Sequence, residues 1–368
     1  MTTSLRWATR ACIGGALFGL SPLLAGTLTS PPLDLASAAP AQPAPANPSK
    51  PHYDQGVALF REGKYTEAAE ALKKAIDLDP RSAESHHLLG LVYSQGMKQP
   101  GEAVAELAEA IQINPNFSQA HYDLGRLYET QDKVAEAEQS LKRAIELAPR
   151  SEEARLALAN LYARRRLIGQ AVQVYRDLLA LEPDHRDALY GLGYLSDGQG
   201  KTAQAREVLE RLTKAYPRHA DGWYLLGRIA EKDNRLADAT SCYRLAIAAK
   251  PDLVDAHYNL GFIYRSGGKQ DEAAQQFKEV IRLKPEYAEA HMNLGVVYTS
   301  LGKLEEAERE YEAALALKPA LVEAQYNLGV FYELHQKDLG KALAHYRKYL
   351  ELGGKDERVE RIVRQVTK

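Results

Sequence analysis

Three asparagines recur at a fixed interval: Asn259, Asn293 and Asn327 are each 34 residues apart. A carboxamide carries both a donor and an acceptor, so a row of them can hold peptide bonds without demanding a particular side-chain sequence. Asp123 stands in phase with this row, while Leu88, Ala157, Gly191 and Leu225 fill the column elsewhere. The neighbouring column is rich in tyrosine: Tyr53, Tyr122, Tyr190, Tyr224, Tyr258 and Tyr326, with His87 and Met292 in phase. Tyrosine offers a large contact area and a polar tip at low entropic cost, which suits a binding surface; packing between neighbouring helices accounts for the same residues. A third column is acidic: Glu84, Glu153, Asp187, Asp221, Asp255, Glu289 and Glu323, with Gln119 as the exception. Lining a groove, these acids would favour basic ligands. At the first turn of a helix each would instead complement the helix dipole by about 0.3–1 kcal/mol, and this is the favoured reading.

Chemistry of other kinds finds no foothold. There is no G-x-x-x-x-G-K-[ST], no G-x-G-x-x-G after a strand, no H-E-x-x-H and no G-x-S-x-G. His52, His86, His121, His257 and His291 share one column, with Trp223 in the same place in another unit. Shared metal binding would need each ligand about 2 Å from one ion. Packed helix axes lie roughly 8–10 Å apart, so equivalent histidines one unit apart are expected to pack rather than ligate. Cys242 is the single thiol beyond the first 50 residues and reads as a buried apolar side chain. The formal net charge of −2 supplies no bulk attraction to nucleic acid or acidic membranes. No cofactor is expected.

These columns are in phase because of a longer clock. Pro115, Pro149, Pro183, Pro217, Pro251, Pro285 and Pro319 are each 34 residues apart, and Pro80 precedes the first by 35. A period of this length signals a stack of similar units. His257, Leu260, Gly261 and Tyr264 lie at i, i+3, i+4 and i+7, one face of a helix; Ala273, Phe277 and Val280 repeat the pattern on a second helix. Each unit is therefore a helical hairpin whose apolar faces are buried only by its neighbours. Gly56, Gly90, Gly125, Gly193, Gly227, Gly261, Gly295 and Gly329 share a helical column, with Ala159 in the remaining unit. Glycine costs about 1 kcal/mol there relative to alanine, so its recurrence argues that two helices approach closely. The proline cannot donate an N–H, ends the second helix and sets the turn to the next unit.

The Leu260-Gly261, Tyr264, Ala273, Phe277 and Pro285 columns resemble the tetratricopeptide repeat family, whose pattern is W-x2-L-G-x2-Y, then A-x3-F, then P. The resemblance covers about nine units over residues 51–352 and implies an all-α fold, a right-handed superhelical α-solenoid. It also implies that the first helix of each hairpin lines a concave groove. The Asn-Leu-Gly runs at 259–261, 293–295 and 327–329 resemble the asparagine ladder in the repeats of O-linked N-acetylglucosamine transferases, where amides hold an extended peptide. By that resemblance Asp123, Asn259, Asn293, Asn327, Tyr190, Tyr224, Tyr258 and Tyr326 form the protein-binding face, with the amides open to solvent when the groove is empty. The Lys and Asn set with which chaperone-binding relatives clamp a carboxylate is not visible in the opening units, where Gly56-Val57 occupies the neighbourhood.

The ends differ from the array. Arg6 and Arg10, an apolar run from Ala11 to Leu28 and an A-x-A site at Ala36-Ser37-Ala38 follow the order of a secretory signal, assigned to residues 1–38; a retained membrane anchor at 11–28 is the alternative. Residues 39–50 form a Pro/Ala-rich linker. Val359, Ile362, Val363 and Val366 give residues 353–368 the pattern of a C-terminal cap helix. The sequence thus leads to an exported, non-catalytic scaffold that binds other proteins or extended peptides, with no nucleic acid partner. The rival reading is the substrate-recruiting repeat subunit of a glycosyltransferase-like or other envelope enzyme complex.

Overall fold

The computed structural model describes residues 47–366. The secretory signal expected at 1–38, most of the linker expected at 39–50 and the side chain of Val366 lie outside the described residues. Within them the chain is helical, with no strand. The first four hairpins are α1 (Lys50–Arg61) with α2 (Tyr65–Leu78), α3 (Ala83–Leu91) with α4 (Pro100–Ile113), α5 (Ser118–Thr130) with α6 (Val134–Leu147), and α7 (Glu152–Arg164) with α8 (Ile168–Leu181). There follow α9 (Arg186–Gly198) with α10 (Thr202–Ala215), α11 (Ala220–Lys232) with α12 (Leu236–Ala249), and α13 (Val254–Ser266) with α14 (Gln270–Leu283). The series ends with α15 (Ala288–Ser300) and α16 (Leu304–Leu317), α17 (Val322–Phe331) and α18 (Leu339–Glu351), and a final α19 (Glu357–Val366). Each helix packs chiefly on its neighbours in sequence, and several first helices also touch the first helix of the next hairpin, which is the contact pattern of a solenoid.

The boundaries follow from local chemistry. The residue before each repeating proline is forced out of the helical region by the proline ring. Asp79, Ala148, Lys250 and Lys318 accordingly have ψ of 83°, 79°, 93° and 83° at the ends of their helices. Inside each hairpin the turn uses a left-handed residue, either glycine (Gly63, Gly200, Gly268, Gly302) or Lys98, Asp132, Arg166, Asn234 and Lys337. The acidic column sits in the first turns of α3, α7, α9, α11, α13, α15 and α17, where it meets the positive end of the dipole.

The glycine column has the close approach expected of it. A Cβ on Gly56 would lie 2.6 Å from Leu72 Cγ, on Gly227 2.6 Å from Tyr243 Cε1 and on Gly329 2.6 Å from Tyr346 Cδ1, each a fully buried side chain of the facing helix. The unit with Ala159 shows the converse. There the Tyr175 ring is turned toward Gly191 of the next hairpin, where an added Cβ would lie 2.4 Å from Cζ, and its hydroxyl donates to Asn160 Oδ1 at 2.6 Å. At Gly261 the Cβ would lie 3.0 Å from Phe277 Cε1 and 3.2 Å from Gln276 Cβ. Gly261→Leu is therefore expected to destabilise by about 1–3 kcal/mol through overpacking, although leucine is the better helix former. A melting curve unchanged from the parent would remove the close-approach argument at that position.

Two features go beyond the sequence reading. The 35-residue interval between Pro80 and Pro115 is taken up by a π-helical turn at Val92–Gly96, closed by Met97 N–H donating to Val92 O at 3.0 Å. A second π turn at Tyr332–Gln336 absorbs the extra residue of the last hairpin, where the glycine-to-alanine interval is 13 (Gly329 to Ala342) rather than 12 (Gly295 to Ala307). Secondly, the histidine column works as a latch. His86, His121, His257 and His291 donate from Nε2 to the carbonyls of Pro80, Pro115, Pro251 and Pro285 at 3.3, 3.1, 3.0 and 3.1 Å. Trp223 and Gln325 make the same bond to Pro217 and Pro319. What the column conserves is a side-chain N–H for a carbonyl left open beyond the helix end, which is why histidine, tryptophan and glutamine interchange there.

The core runs along the array as successive clusters shared by adjacent hairpins. Tyr243, Tyr346 and Phe277 are fully buried, and each such side chain stabilises by about 1.5–3 kcal/mol. Val359 of α19 is fully buried against the last hairpin, with Ile362 and Val363 partly buried beside it.

Candidate functional site

A groove of ≈ 860 Å³ is lined mainly by the first helices α13, α15 and α17. Tyr258 and Arg265 come from α13, Met292 and Asn293 from α15, and Tyr326 and Asn327 from α17. One 34-residue step separates equivalent positions, so each helix presents its tyrosine and amide columns to the same side. Four of the eight proposed residues, Tyr258, Asn293, Tyr326 and Asn327, meet here. Asn259, Tyr190, Tyr224 and Asp123 do not line this groove.

The amides are not equivalent. Asn293 is only 2% exposed. Its Nδ2 donates to Tyr258 Oη at 3.0 Å and to Glu289 O at 2.8 Å, and its Oδ1 accepts from Arg265 Nη1. The expectation that this amide faces solvent in the empty groove is therefore overturned: it is enclosed and hydrogen-bonded to its neighbours. Asn259 is half-buried and donates to Tyr243 Oη at 3.2 Å. Asn327, also half-buried, makes no side-chain hydrogen bond among the described residues and remains able to bond a ligand. Asp123 accepts from Gln119 Nε2 at 3.2 Å and lies 2.7 Å from His87 Nε2, tying one first helix to its predecessor.

The tyrosines divide in the same way. Tyr258 stacks on Tyr287 with centroids 5.1 Å apart, and burial raises its hydroxyl pKa. Tyr326 lies 5.3 Å from Tyr349 across the groove wall. Tyr190 packs 5.3 Å from His219, and Tyr224 5.8 Å from Tyr243. Burial lifts the hydroxyls of Tyr175 and Tyr311 from 10.0 to about 12. An unfolded tyrosine ionises near 10, so the fold favours the protonated form. Stability from these groups is complete below pH 10 and falls as the pH rises from 10 towards 12. Ultraviolet titration of tyrosinate should show a late class near pH 12, with helix content falling in step. Ionisation of every tyrosine near pH 10, with helix content intact, would contradict the burial.

Arg265 is the residue that column reading missed. Its guanidinium is half-buried, lies 4.6 Å from the Phe262 ring and donates to the neutral Asn293 amide; burial pulls its pKa down. The available signal was a charge reversal. Four residues after the helix glycine, other units carry Glu129, Asp197, Glu231 and Glu333. Among the described residues no cluster of His, Cys, Asp and Glu could hold a metal ion, and no helix is long and apolar enough to cross a membrane.

Two models described as Tetratricopeptide repeat match residues 156–196 with 197–254, and 95–161. A third, described as TPR repeat, matches 56–96, 261–300 and 297–336. The chain is a tetratricopeptide repeat protein. Among solved structures, the TPR array resembles the C-terminal part of a TPR repeat-containing protein from Cytophaga hutchinsonii, with 16% identity and a TM-score of 0.58 over 66% of this chain and 99% of that one. Also similar are YrrB, described as a TPR protein with an unusual peptide-binding site (24% identity, TM-score 0.46, 50% of this chain and 95% of that one), and PilF of Pseudomonas aeruginosa (20%, 0.48, 55% and 92%). At 16% identity the likeness to the Cytophaga hutchinsonii protein shows the fold alone. No curated protein matches the sequence.

Proposed function

We propose that this TPR array is a binding scaffold that holds an extended polypeptide against the first helices of its last three hairpins. The observation that carries the reading is the groove lined by α13, α15 and α17, where the unpartnered Asn327 amide shares the lining with Tyr258 and Tyr326. An amide beside aromatic surface suits a peptide: it pairs with the backbone while the rings cover side chains. The asparagine ladder shrinks in this reading to Asn327, with Asn293 shaping the groove floor.

The test pans a library of end-blocked random octapeptides on the purified chain. Peptides enriched over an unrelated helical control, with affinity lowered by about 0.5–1.5 kcal/mol in Asn327→Ala, uphold the reading. No enrichment, or enriched peptides indifferent to Asn327→Ala, refutes it.

We further propose that the protein acts outside the cytoplasm. Arg6 and Arg10, the apolar run and Ala36-Ser37-Ala38 support export with cleavage after Ala38. Mass spectrometry of the full-length chain made in a secreting host should find a mature protein beginning at Ala39. Recovery of the uncleaved chain would refute it.

A further inference from the structure

In four units the position four residues after the helix glycine is acidic, and each acid has a partner within the array, a cation in three of them. Glu129 pairs with Arg164, Asp197 with Lys232 at 2.6 Å, and Glu333 with Arg358; Glu231 accepts from the Tyr243 hydroxyl at 2.7 Å. Arg265 reverses the sign and has no such complement. Its guanidinium makes no ion pair among the described residues; its neighbours are the Asn293 amide, the Phe262 ring and the phenols of Tyr258 and Tyr311.

The acids of the groove are committed elsewhere or lie at its edge. Glu289 is 2.8 Å from Lys318. Asp356 caps α19, accepting from Val359 N–H at 2.9 Å. Glu323 is exposed on the first turn of α17. A half-buried guanidinium presents a fork that a carboxylate fits with two parallel hydrogen bonds, and partial burial strengthens the pairing. The edge acids would repel a polyanion but leave room for one negative charge at the floor. Met292 and Val296 add apolar surface beside it.

We propose that the groove selects peptides carrying a single acidic side chain, whose carboxylate pairs with Arg265 while flanking aliphatic residues lie on Met292 and Val296. This rests on the peptide-binding reading above and adds the class of peptide. It runs against the basic ligands that the acidic column alone would favour.

The same end-blocked library supplies the test, and blocked ends remove terminal carboxylates as an alternative source. Asp or Glu should be enriched at one position, next to an aliphatic residue. Remaking the best peptide with Gln or Asn at that position should weaken binding to the unaltered protein about tenfold. That arm needs no variant protein, so it stands even if Arg265 also supports the fold. Arg265→Gln should abolish the acidic preference, while Arg265→Lys, which keeps the charge but not the fork, should weaken it without reversing it, with melting curves recorded for both. Enriched peptides with no acidic preference, or with a basic one, overturn this inference and leave the scaffold reading standing. So does a change below threefold on replacing the acid. Absence of any enriched peptide refutes the scaffold reading, and this inference with it.

Discussion

Truncating Tyr243 to alanine is expected to lower the stability of its hairpin by about 3–5 kcal/mol and to divide unfolding into two transitions. The ring is fully buried in α12, stands over Gly227 and lies 5.8 Å from Tyr224. Its hydroxyl donates to Glu231 Oε2 at 2.7 Å and accepts from Asn259 Nδ2 at 3.2 Å, so truncation leaves a cavity and two groups without their partner. Each hairpin in the array rests only on its neighbours, so a weak central unit uncouples the two flanks. Tyr243→Phe keeps the ring and loses the charge-assisted bond, at a cost of about 1.5–3 kcal/mol. Differential scanning calorimetry of the parent and both variants gives the comparison. A single transition in Tyr243→Ala at the parent's temperature would show that the hairpins are not coupled in this way.

The second large effect separates two residues that look identical in the repeat. Asn293→Ala is expected to cost about 1–3 kcal/mol, because it strips Tyr258 and the half-buried Arg265 of an acceptor or donor inside the array. Asn327→Ala removes no bond among the described residues and should change stability by about 0.5 kcal/mol or less, since alanine suits a helix. Chemical denaturation of the two variants decides it. Equal stability of the pair would mean that the Asn293 bonds are not made in solution. A large loss in Asn327→Ala would mean that this amide is structural too, and the binding site would lose its central residue.

The contrast shows what the sequence could and could not reveal. Helical hairpins were legible because their apolar residues must repeat with the helix and the proline must repeat with the unit. Gly227 facing Tyr243, or Gly56 facing Leu72, is the same constraint seen from both sides. Phase places Asn259, Asn293 and Asn327 on equivalent surfaces, but burial depends on what stands beside each. Asn293 is enclosed because Tyr258 and Arg265 on the preceding first helix reach it; Asn327 lacks an arginine in that position, where Thr299 stands instead. The histidine column was read as packing, and it is packing, yet its hydrogen bond to the proline carbonyl appears only when the turn is seen in space. Arg265 escaped notice because a repeat is read through what recurs, whereas specificity resides in the residue that breaks the pattern.

The π-helical turns at Val92–Gly96 and Tyr332–Gln336 have a consequence for how such an array can change its length. One residue added within an α-helix swings everything downstream by about 100°, which would carry an apolar stripe from the interior to water. Here the surplus residue is looped into a wider turn just before the hairpin reverses, and the stripes on both sides keep their aim. The end of the first helix is thus the place where insertions and deletions can accumulate without a change of fold. It is also where a label or a cleavage site could be grafted with least disturbance to the groove.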